Sequence, residues 1–181
     1  MAYGQIIPGL VINGEAADYP VVNERAIRAT AGIMFVIGFF AFFNAFFLKD
    51  FAYMYFVVPA FWLDFLLKTV FGPKYSIFGF FGRLFVKGQK PEYVGVIQKR
   101  FAWGIGLLLS SIMMVAAVGL GVRGVLPLSI CLTCLFFMWM ETALGICVGC
   151  KIYQYLLKKG VMPRPKTMPA CPGGVCSIKK N

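Results

Sequence analysis

Four long apolar runs limit the folds that are open to this chain. They cover about residues 30–48, 51–71, 101–122 and 125–157. Each run reaches the roughly 20 residues that a helix needs to cross a ~30 Å hydrocarbon layer. Strands of a membrane barrel would instead show alternating segments of ~10 residues. The sequence therefore predicts an all-α membrane protein with a four-helix transmembrane domain over residues 29–157.

The composition agrees with a bilayer as the surroundings of most of the chain. Apolar residues make up 60% of it and charged residues 14%, whereas soluble domains average about 45–50% and 25%. The 18 Lys and Arg outnumber the 7 Asp and Glu, but they lie between the apolar runs. The predicted partner is therefore a lipid bilayer and not nucleic acid. The sequence has no histidine, which excludes Cys–His catalysis, and it indicates no particular cofactor.

The basic residues predict the orientation of the helices. The first and third links between the runs each offer one cation, Lys49 and Arg123, whereas the middle loop (residues 72–100) offers six and the segment from Lys151 onward seven. Loops rich in Lys and Arg stay in the cytoplasm. We therefore expect residues 1–28 to form a cytoplasmic N-terminal segment, and residues 158–181 a flexible cytoplasmic tail that contains two cysteines.

Residues 75–86 of the middle loop are rich in aromatic side chains and include Arg83. An amphipathic helix that lies in the membrane interface fits this pattern. A plain connecting loop fits as well, because Gly79, Gly82 and Gly88 interrupt the stretch. Both interpretations of the segment stay open at this point.

The six cysteines form three close pairs with none left over. The pairs are Cys131 with Cys134, Cys147 with Cys150, and Cys171 with Cys176. The first two have C-x-x-C spacing, which on a helix places the Cα atoms about 5–6 Å apart. That separation suits either a disulfide or two thiolates on one soft metal ion. Three pairs without a remainder favour a thiol-based function over plain core packing.

The two C-x-x-C pairs are expected to lie in different places. Cys134 and Cys147 are 13 residues apart, about 20 Å along a continuous helix. A tetrathiolate zinc site needs every sulfur at about 2.3 Å from the ion. The pairs would meet only if the last helix broke, at Gly145 or Gly149. Cys131 and Cys134 are thus predicted near the outer face, as a distant functional pair or as packing.

The tail brings a second dithiol within reach of the inner pair. Twenty residues separate Cys150 from Cys171, enough for the proline-rich tail to fold across the cytoplasmic mouth of the bundle. We therefore predict Cys147, Cys150, Cys171 and Cys176 as one cytoplasmic cluster of catalytic thiols. An alternative interpretation makes the same four cysteines ligands of zinc or of a soft metal.

Glu141 is the one acid within the last apolar run and is predicted at mid-membrane depth. An ionisable group at such a depth is a functional candidate by default. A structural hydrogen bond to Asn44 or Thr133 is the alternative. Asp64 and Lys68 are spaced i, i+4, and we expect them to neutralise each other near the cytoplasmic end of the second helix.

Several short motifs resemble those of a known family. They lie at residues 23–25, 63–65, 72–76, 99–102 and 145–153, and the last contains the pattern C-x-G-C-K-I-Y. Over roughly residues 22–155 the chain resembles a small bacterial integral membrane family known only as a domain of unknown function. The resemblance implies the bacterial inner membrane and a cysteine pair at Cys147 and Cys150. Some relatives are associated with thioredoxin-like or rhodanese-like proteins, which implies such partners; no established activity comes with the resemblance.

Three functions are consistent with the sequence. The leading hypothesis is thiol–disulfide or sulfane-sulfur transfer at the cytoplasmic face, since that chemistry needs a thiolate and a neighbouring sulfur. The second is a carrier of a soft cation, copper or mercury, bound by paired thiolates. The third is a non-catalytic accessory subunit of a larger membrane complex, with inert cysteines. The sequence does not decide whether the protein is an enzyme.

Overall fold

The computed structural model describes residues 4–12, 15–16 and 19–162, and within them the fold is almost entirely helical. The helices are α1 (Glu24–Phe47), α2 (Met54–Val70), α3 (Ile77–Phe85), α4 (Val96–Met113), α5 (Val125–Ala143) and α6 (Val148–Lys158). Two short antiparallel ribbons pair β1 (Val11–Ile12) with β2 (Glu15–Ala16), and β3 (Val21–Asn23) with β4 (Tyr93–Gly95). A 3-10 turn (Pro73–Tyr75) precedes α3, and a π-helix (Met114–Gly119) continues α4. The all-α prediction is confirmed for these residues.

Three helices of the described chain are long and apolar enough to cross a membrane. They are α1, α4 together with its π-helical continuation, and α5. α2 has 17 residues. Phenylalanines such as Phe40, Phe47 and Phe56 are exposed on the bundle, and apolar exposure on this scale marks a surface that meets lipid or a partner. Of the predicted transmembrane domain, the helical fold and three helices able to span a bilayer are thus confirmed.

The β3–β4 ribbon ties the start of α1 to the start of α4. Val21 pairs with Gly95 and Asn23 with Tyr93, and each strand runs directly into its helix. The side chain of Asn23 caps α1 by accepting hydrogen bonds from the backbone N–H groups of Arg25 (3.1 Å) and Glu92 (3.3 Å). As a result the first turns of α1 and α4 lie side by side, although they are far apart in sequence.

The middle loop contains a helix, so the helical interpretation of residues 75–86 is correct. Ser76 caps α3 by accepting a hydrogen bond from Gly79 N–H at 2.7 Å, and it donates one at 2.8 Å to the carboxylate of Asp64. Asp64 also pairs with Lys68 at 2.6 Å, and both side chains are buried. The predicted Asp64–Lys68 pair is thus confirmed. Through Ser76, Asp64 also fixes α3 against the end of α2.

The last apolar run does not form the continuous helix predicted over residues 125–157. α5 ends at Ala143 and α6 begins at Val148. Gly145 has φ +66°, a left-handed conformation that glycine adopts at little cost, and Ile146 N–H donates back to the carbonyl of Met140 at 3.0 Å. Of the two glycines considered as breaking points, Gly145 makes the break, whereas Gly149 lies inside α6.

Candidate functional site

Cys147 and Cys150 lie together at the beginning of α6. Cys147 is the N-cap residue, and its Sγ accepts a hydrogen bond from the backbone N–H of Cys150 at 3.4 Å. The thiol of Cys150 donates to the same Sγ across 2.6 Å. Both cysteines are free thiols and both are buried. The first turn of α6 therefore holds two sulfur atoms in contact, and the sulfur of Cys147 lies at the N-terminus of the helix.

The position of α6 is fixed by close packing on α4. A Cβ placed on Gly149 would lie 2.5 Å from the Cβ and 2.6 Å from the Cα of Ala102, so only glycine allows this approach. The rings of Phe101 and Tyr153 meet next to it, with centroids 5.5 Å apart. This contact brings the first turn of α6, with its two thiols, against the second turn of α4.

A buried cluster of three charged side chains lies at the same end of the bundle. The ammonium of Lys99, on α4, is 2.9 Å from both carboxylate oxygens of Glu24, on α1, and 2.6 Å from Oε1 of Glu141, on α5. Lys99 is 0% and Glu24 1% exposed. Charges buried this deeply require partners. The three residues therefore join three different helices, and Lys99 connects this cluster electrostatically with the two thiols.

Glu141 has a different partner from those that the sequence suggested. The amide of Asn44 donates to the carbonyl of Phe40 within α1, and the hydroxyl of Thr133 donates to the carbonyl of Ser129 within α5. Glu141 lies near the end of α5 and pairs with Lys99 instead. The expectation of a bond to Asn44 or Thr133 was wrong, because Lys99 belongs to a helix and not to the solvated loop in which it was counted.

The two thiols have different electrostatic surroundings. Lys99 is near enough to both sulfurs to interact with them electrostatically. The hydrogen bond to Cys147, burial and the adjacent charge of Cys147 raise the pKa of the Cys150 thiol well above its ordinary value, and Lys99 opposes the shift only in part. Cys147, as the N-cap residue, places its Sγ at the positive N-terminal end of the α6 dipole, within electrostatic reach of the Lys99 ammonium.

The raised pKa of Cys150 predicts a distinctive pH profile. Because the neutral form of this thiol persists to higher pH, its alkylation rate should keep rising beyond pH 9.0, its ordinary pKa. The measurement is site-resolved mass spectrometry after short pulses of iodoacetamide between pH 7 and 11. The same chain unfolded in detergent is the control, and there the profile should level off near the ordinary value. A native profile that levels off at the same pH contradicts the assignment.

The other cysteines do not join this site within the described structure. Cys131 and Cys134 lie in the middle of α5 and line a cavity to which neither Cys147 nor Cys150 contributes. Cys171 and Cys176 lie outside the described residues, so their predicted place in a cytoplasmic cluster of four thiols stays a prediction. Among the described residues no group of three or more Cys, Asp or Glu is arranged to hold a metal ion.

Sequence reasoning missed Glu24 and Lys99 as members of the site. Both lie just ahead of an apolar run, which is where a solvated charge is also common. The available signal was their opposite charge at the starts of two helices. That signal becomes specific only when β3 and β4 are known to pair, because the ribbon sets the two helix starts side by side.

Comparison with known proteins identifies the family. No curated protein and no solved structure matches the chain. A family model described as a domain of unknown function (DUF4395) matches residues 22–158 of the 181, a range that contains all six helices of the described chain together with Glu24, Lys99, Glu141 and the Cys147–Cys150 pair. The family resemblance drawn from the sequence motifs is thereby confirmed, and the chain belongs to the DUF4395 family.

Proposed function

We propose that the protein is a multi-pass membrane thiol protein whose Cys147–Cys150 pair carries out thiol–disulfide exchange at the cytoplasmic face. The observation that carries the proposal is the pair itself. Two free thiols lie with their sulfurs 2.6 Å apart on the first turn of a helix, beside a buried ammonium. A thiolate nucleophile with a resolving thiol next to it is what disulfide exchange requires.

The proposed topology has four spans, α1, α2, α4 and α5, with both termini in the cytoplasm of a bacterium. At 1.5 Å per residue, the 17 residues of α2 extend about 26 Å, close to the thickness of a bilayer core. Glu24, Asp64, Lys99 and Glu141 all belong to one end of the bundle if neighbouring spans alternate in direction. That end also carries the five cations other than Lys99 that were counted over residues 72–100, which favours the cytoplasmic side. α6 then lies at this face.

The exchange needs only groups of the site and a substrate disulfide. The thiolate of Cys147 attacks one substrate sulfur, which forms a mixed disulfide and releases the other substrate sulfur as a thiolate. Cys150 passes its proton to the released sulfur and attacks Sγ of Cys147, which frees the second substrate sulfur. The protein ends as the Cys147–Cys150 disulfide, and two electrons, the proton and the charge are on the substrate. Lys99, held by its two carboxylates, acts as a positioning residue for the thiolate.

Trapping of the mixed disulfide tests the proposal. The purified chain in lipid nanodiscs is treated with glutathione disulfide and analysed by mass spectrometry. We expect the Cys147–Cys150 disulfide in the unsubstituted protein, a stable glutathione adduct on Cys147 in Cys150→Ser, and no comparable adduct in Cys147→Ser. The double variant Cys131→Ser/Cys134→Ser is the matched control and should behave as the unsubstituted protein.

Three other results, one from this experiment and two from parallel assays, would overturn the proposal. A Cys147–Cys150 pair that stays reduced in excess glutathione disulfide would favour the accessory-subunit hypothesis. A persulfide on Cys147 after treatment with a sulfane-sulfur donor, without disulfide exchange, would favour sulfur transfer. Loss of metal tolerance in Cys147→Ser, again without exchange, would favour a soft-cation carrier. Because each hypothesis predicts a different result, the assays together discriminate among them.

A further inference from the structure

A small cavity lies in the middle of the bundle, between α1, α2, α4 and α5. Its volume is about 50 Å³. Among the described residues that line it, five carry sulfur: Met54, Met113, Cys131, Cys134 and Met138. These side chains are separate from the thiol site at the beginning of α6. Sulfur-containing residues from α2, α4 and α5 therefore line one interior space.

Three of the five sulfur-containing residues belong to α5. Cys131, Cys134 and Met138 stand at i, i+3 and i+7, so they lie on one face of the helix. Met54 is the first residue of α2 and Met113 the last of α4. The two methionines are buried together in one cluster, and Cys131 packs against it. Two methionines thus share one buried cluster with a cysteine packed against it, and Cys134 lies one helical turn further along α5.

The rest of the lining excludes most other ligands. None of the described lining residues carries a carboxylate or an amide side chain, and the hydroxyl of Ser110 donates to the carbonyl of Leu107. A hard cation such as Mg²⁺ or Ca²⁺ prefers oxygen ligands and finds too few of them here. Soft d¹⁰ ions prefer thiolate and thioether sulfur. The donor set is therefore that of a soft-metal site.

The size of the cavity points the same way. A cavity of about 150 Å³ is known to bind a benzene molecule, and this one has about a third of that volume. An aromatic ring, such as the head group of a quinone, does not fit without rearrangement of the bundle. A single metal ion fits. The helix that carries Met113 also changes to a π-helix at Met114, and π-helical turns are rare and frequently mark functional sites.

We propose that Cys131, Cys134, Met54 and Met113 bind one soft monovalent cation of the copper(I) type inside the bundle. Binding exchanges a proton for the ion: one thiol loses its proton to water, its sulfur bonds to Cu(I), and no electron is transferred. One thiolate and one monovalent cation make a neutral complex, and only a neutral complex avoids the cost of burying net charge in an apolar interior. The site is independent of the exchange chemistry at Cys147 and Cys150.

Titration with Cu(I) tests the site in the full chain. The four remaining cysteines, Cys147, Cys150, Cys171 and Cys176, are replaced by serine to leave Cys131 and Cys134 alone. The protein is kept under anaerobic conditions with ascorbate and titrated with Cu(I) against bicinchoninate. We expect one Cu(I) per chain and an all-sulfur first shell in X-ray absorption spectra. Zn²⁺ at the same concentration should not compete.

A pair of neighbouring methionines provides the matched control. Met113 lines the cavity, whereas Met114 does not. Met113→Leu should weaken Cu(I) binding by about tenfold, which corresponds to ~1.4 kcal/mol, and Met114→Leu should leave it unchanged. Equal effects of the two substitutions, or no bound Cu(I) in the four-serine chain, would show that the sulfurs only fill the core.

A second comparison covers a failure of the four-serine chain to fold. In the otherwise unsubstituted protein, Cys131→Ser/Cys134→Ser should remove one equivalent of bound Cu(I), measured by metal analysis. An unchanged stoichiometry refutes the site. Since glutathione exchange at Cys147 is read separately, failure of the metal site and failure of the thiol–disulfide function give different results.

Discussion

Lys99→Met is expected to lower the free energy of unfolding by about 3–5 kcal/mol, the usual cost of removing one partner from a buried ion pair. The substitution keeps much of the side-chain volume but leaves the carboxylates of Glu24 and Glu141 without their shared ammonium. Glu24 is almost fully buried, so water cannot replace the lost partner. Reversible unfolding by sodium dodecyl sulfate in mixed micelles measures the effect.

Two further variants separate lost charge from lost packing. Lys90→Met replaces an exposed lysine of the middle loop and should change the stability by less than about 0.5 kcal/mol. Adding Glu24→Gln and Glu141→Gln to Lys99→Met removes the uncompensated charges and should restore a large part of the loss. If Lys99→Met proves as mild as the Lys90 control, the buried cluster does not contribute as the geometry indicates.

Gly149→Ala should impair the thiol chemistry more strongly than any other single methyl group added to the bundle. The new Cβ would lie 2.5 Å from that of Ala102, whereas carbon atoms in contact are about 3.5–4.0 Å apart. α6 must therefore move away from α4 by about 1 Å, and Cys147 moves with it. A displacement of that size can cost about 100-fold in rate, so we expect a loss of this order in glutathione exchange.

Gly104→Ala is the matched control on the facing helix. A Cβ at position 104 meets nothing within 4 Å, and replacing glycine by alanine within a helix stabilises it by roughly 0.5–1 kcal/mol. We expect the exchange rate of this variant to be unchanged. Overpacking at Gly149 should also lower the stability by about 1–3 kcal/mol, so the exchange rate is compared below the unfolding transition. Equal rates for both alanine variants would contradict the proposed role of the α4–α6 contact.

The sequence predicts local features of this fold well. Apolar runs of about 20 residues determine the helices, and the spacing of Asp64 and Lys68 predicts their ion pair. The last run was predicted to be continuous, but Gly145, where it breaks, is one of the two glycines named as possible breaking points. Each of these features depends on neighbours within a few residues. Helix type, short-range pairing and local breaks are therefore accessible from one chain, and the pairing of Cys147 with Cys150 belongs to the same class.

The surroundings of the thiols could not be predicted in the same way. Lys99 meets Glu24, 75 residues away, and Glu141, 42 residues away. These contacts depend on a ribbon of two three-residue strands, which are too short to show a sequence pattern. The place of the two thiols beside Lys99 also depends on the break at Gly145, which separates α6 from α5. Lys99 was counted as a loop residue, and only long-range packing places it between Glu24 and Glu141.

The charge cluster has a consequence for biosynthesis. Lys99 has one carboxylate partner that is translated long before it and one that is translated after it. We expect the ammonium to stay hydrated at the membrane surface until α5 has been inserted, because a buried ion with an incomplete set of partners is costly. Burial of Lys99 thus reports that insertion is complete. Chains that stop before α5 would lack Glu141, and the ammonium of Lys99 would keep only one of its two carboxylate partners.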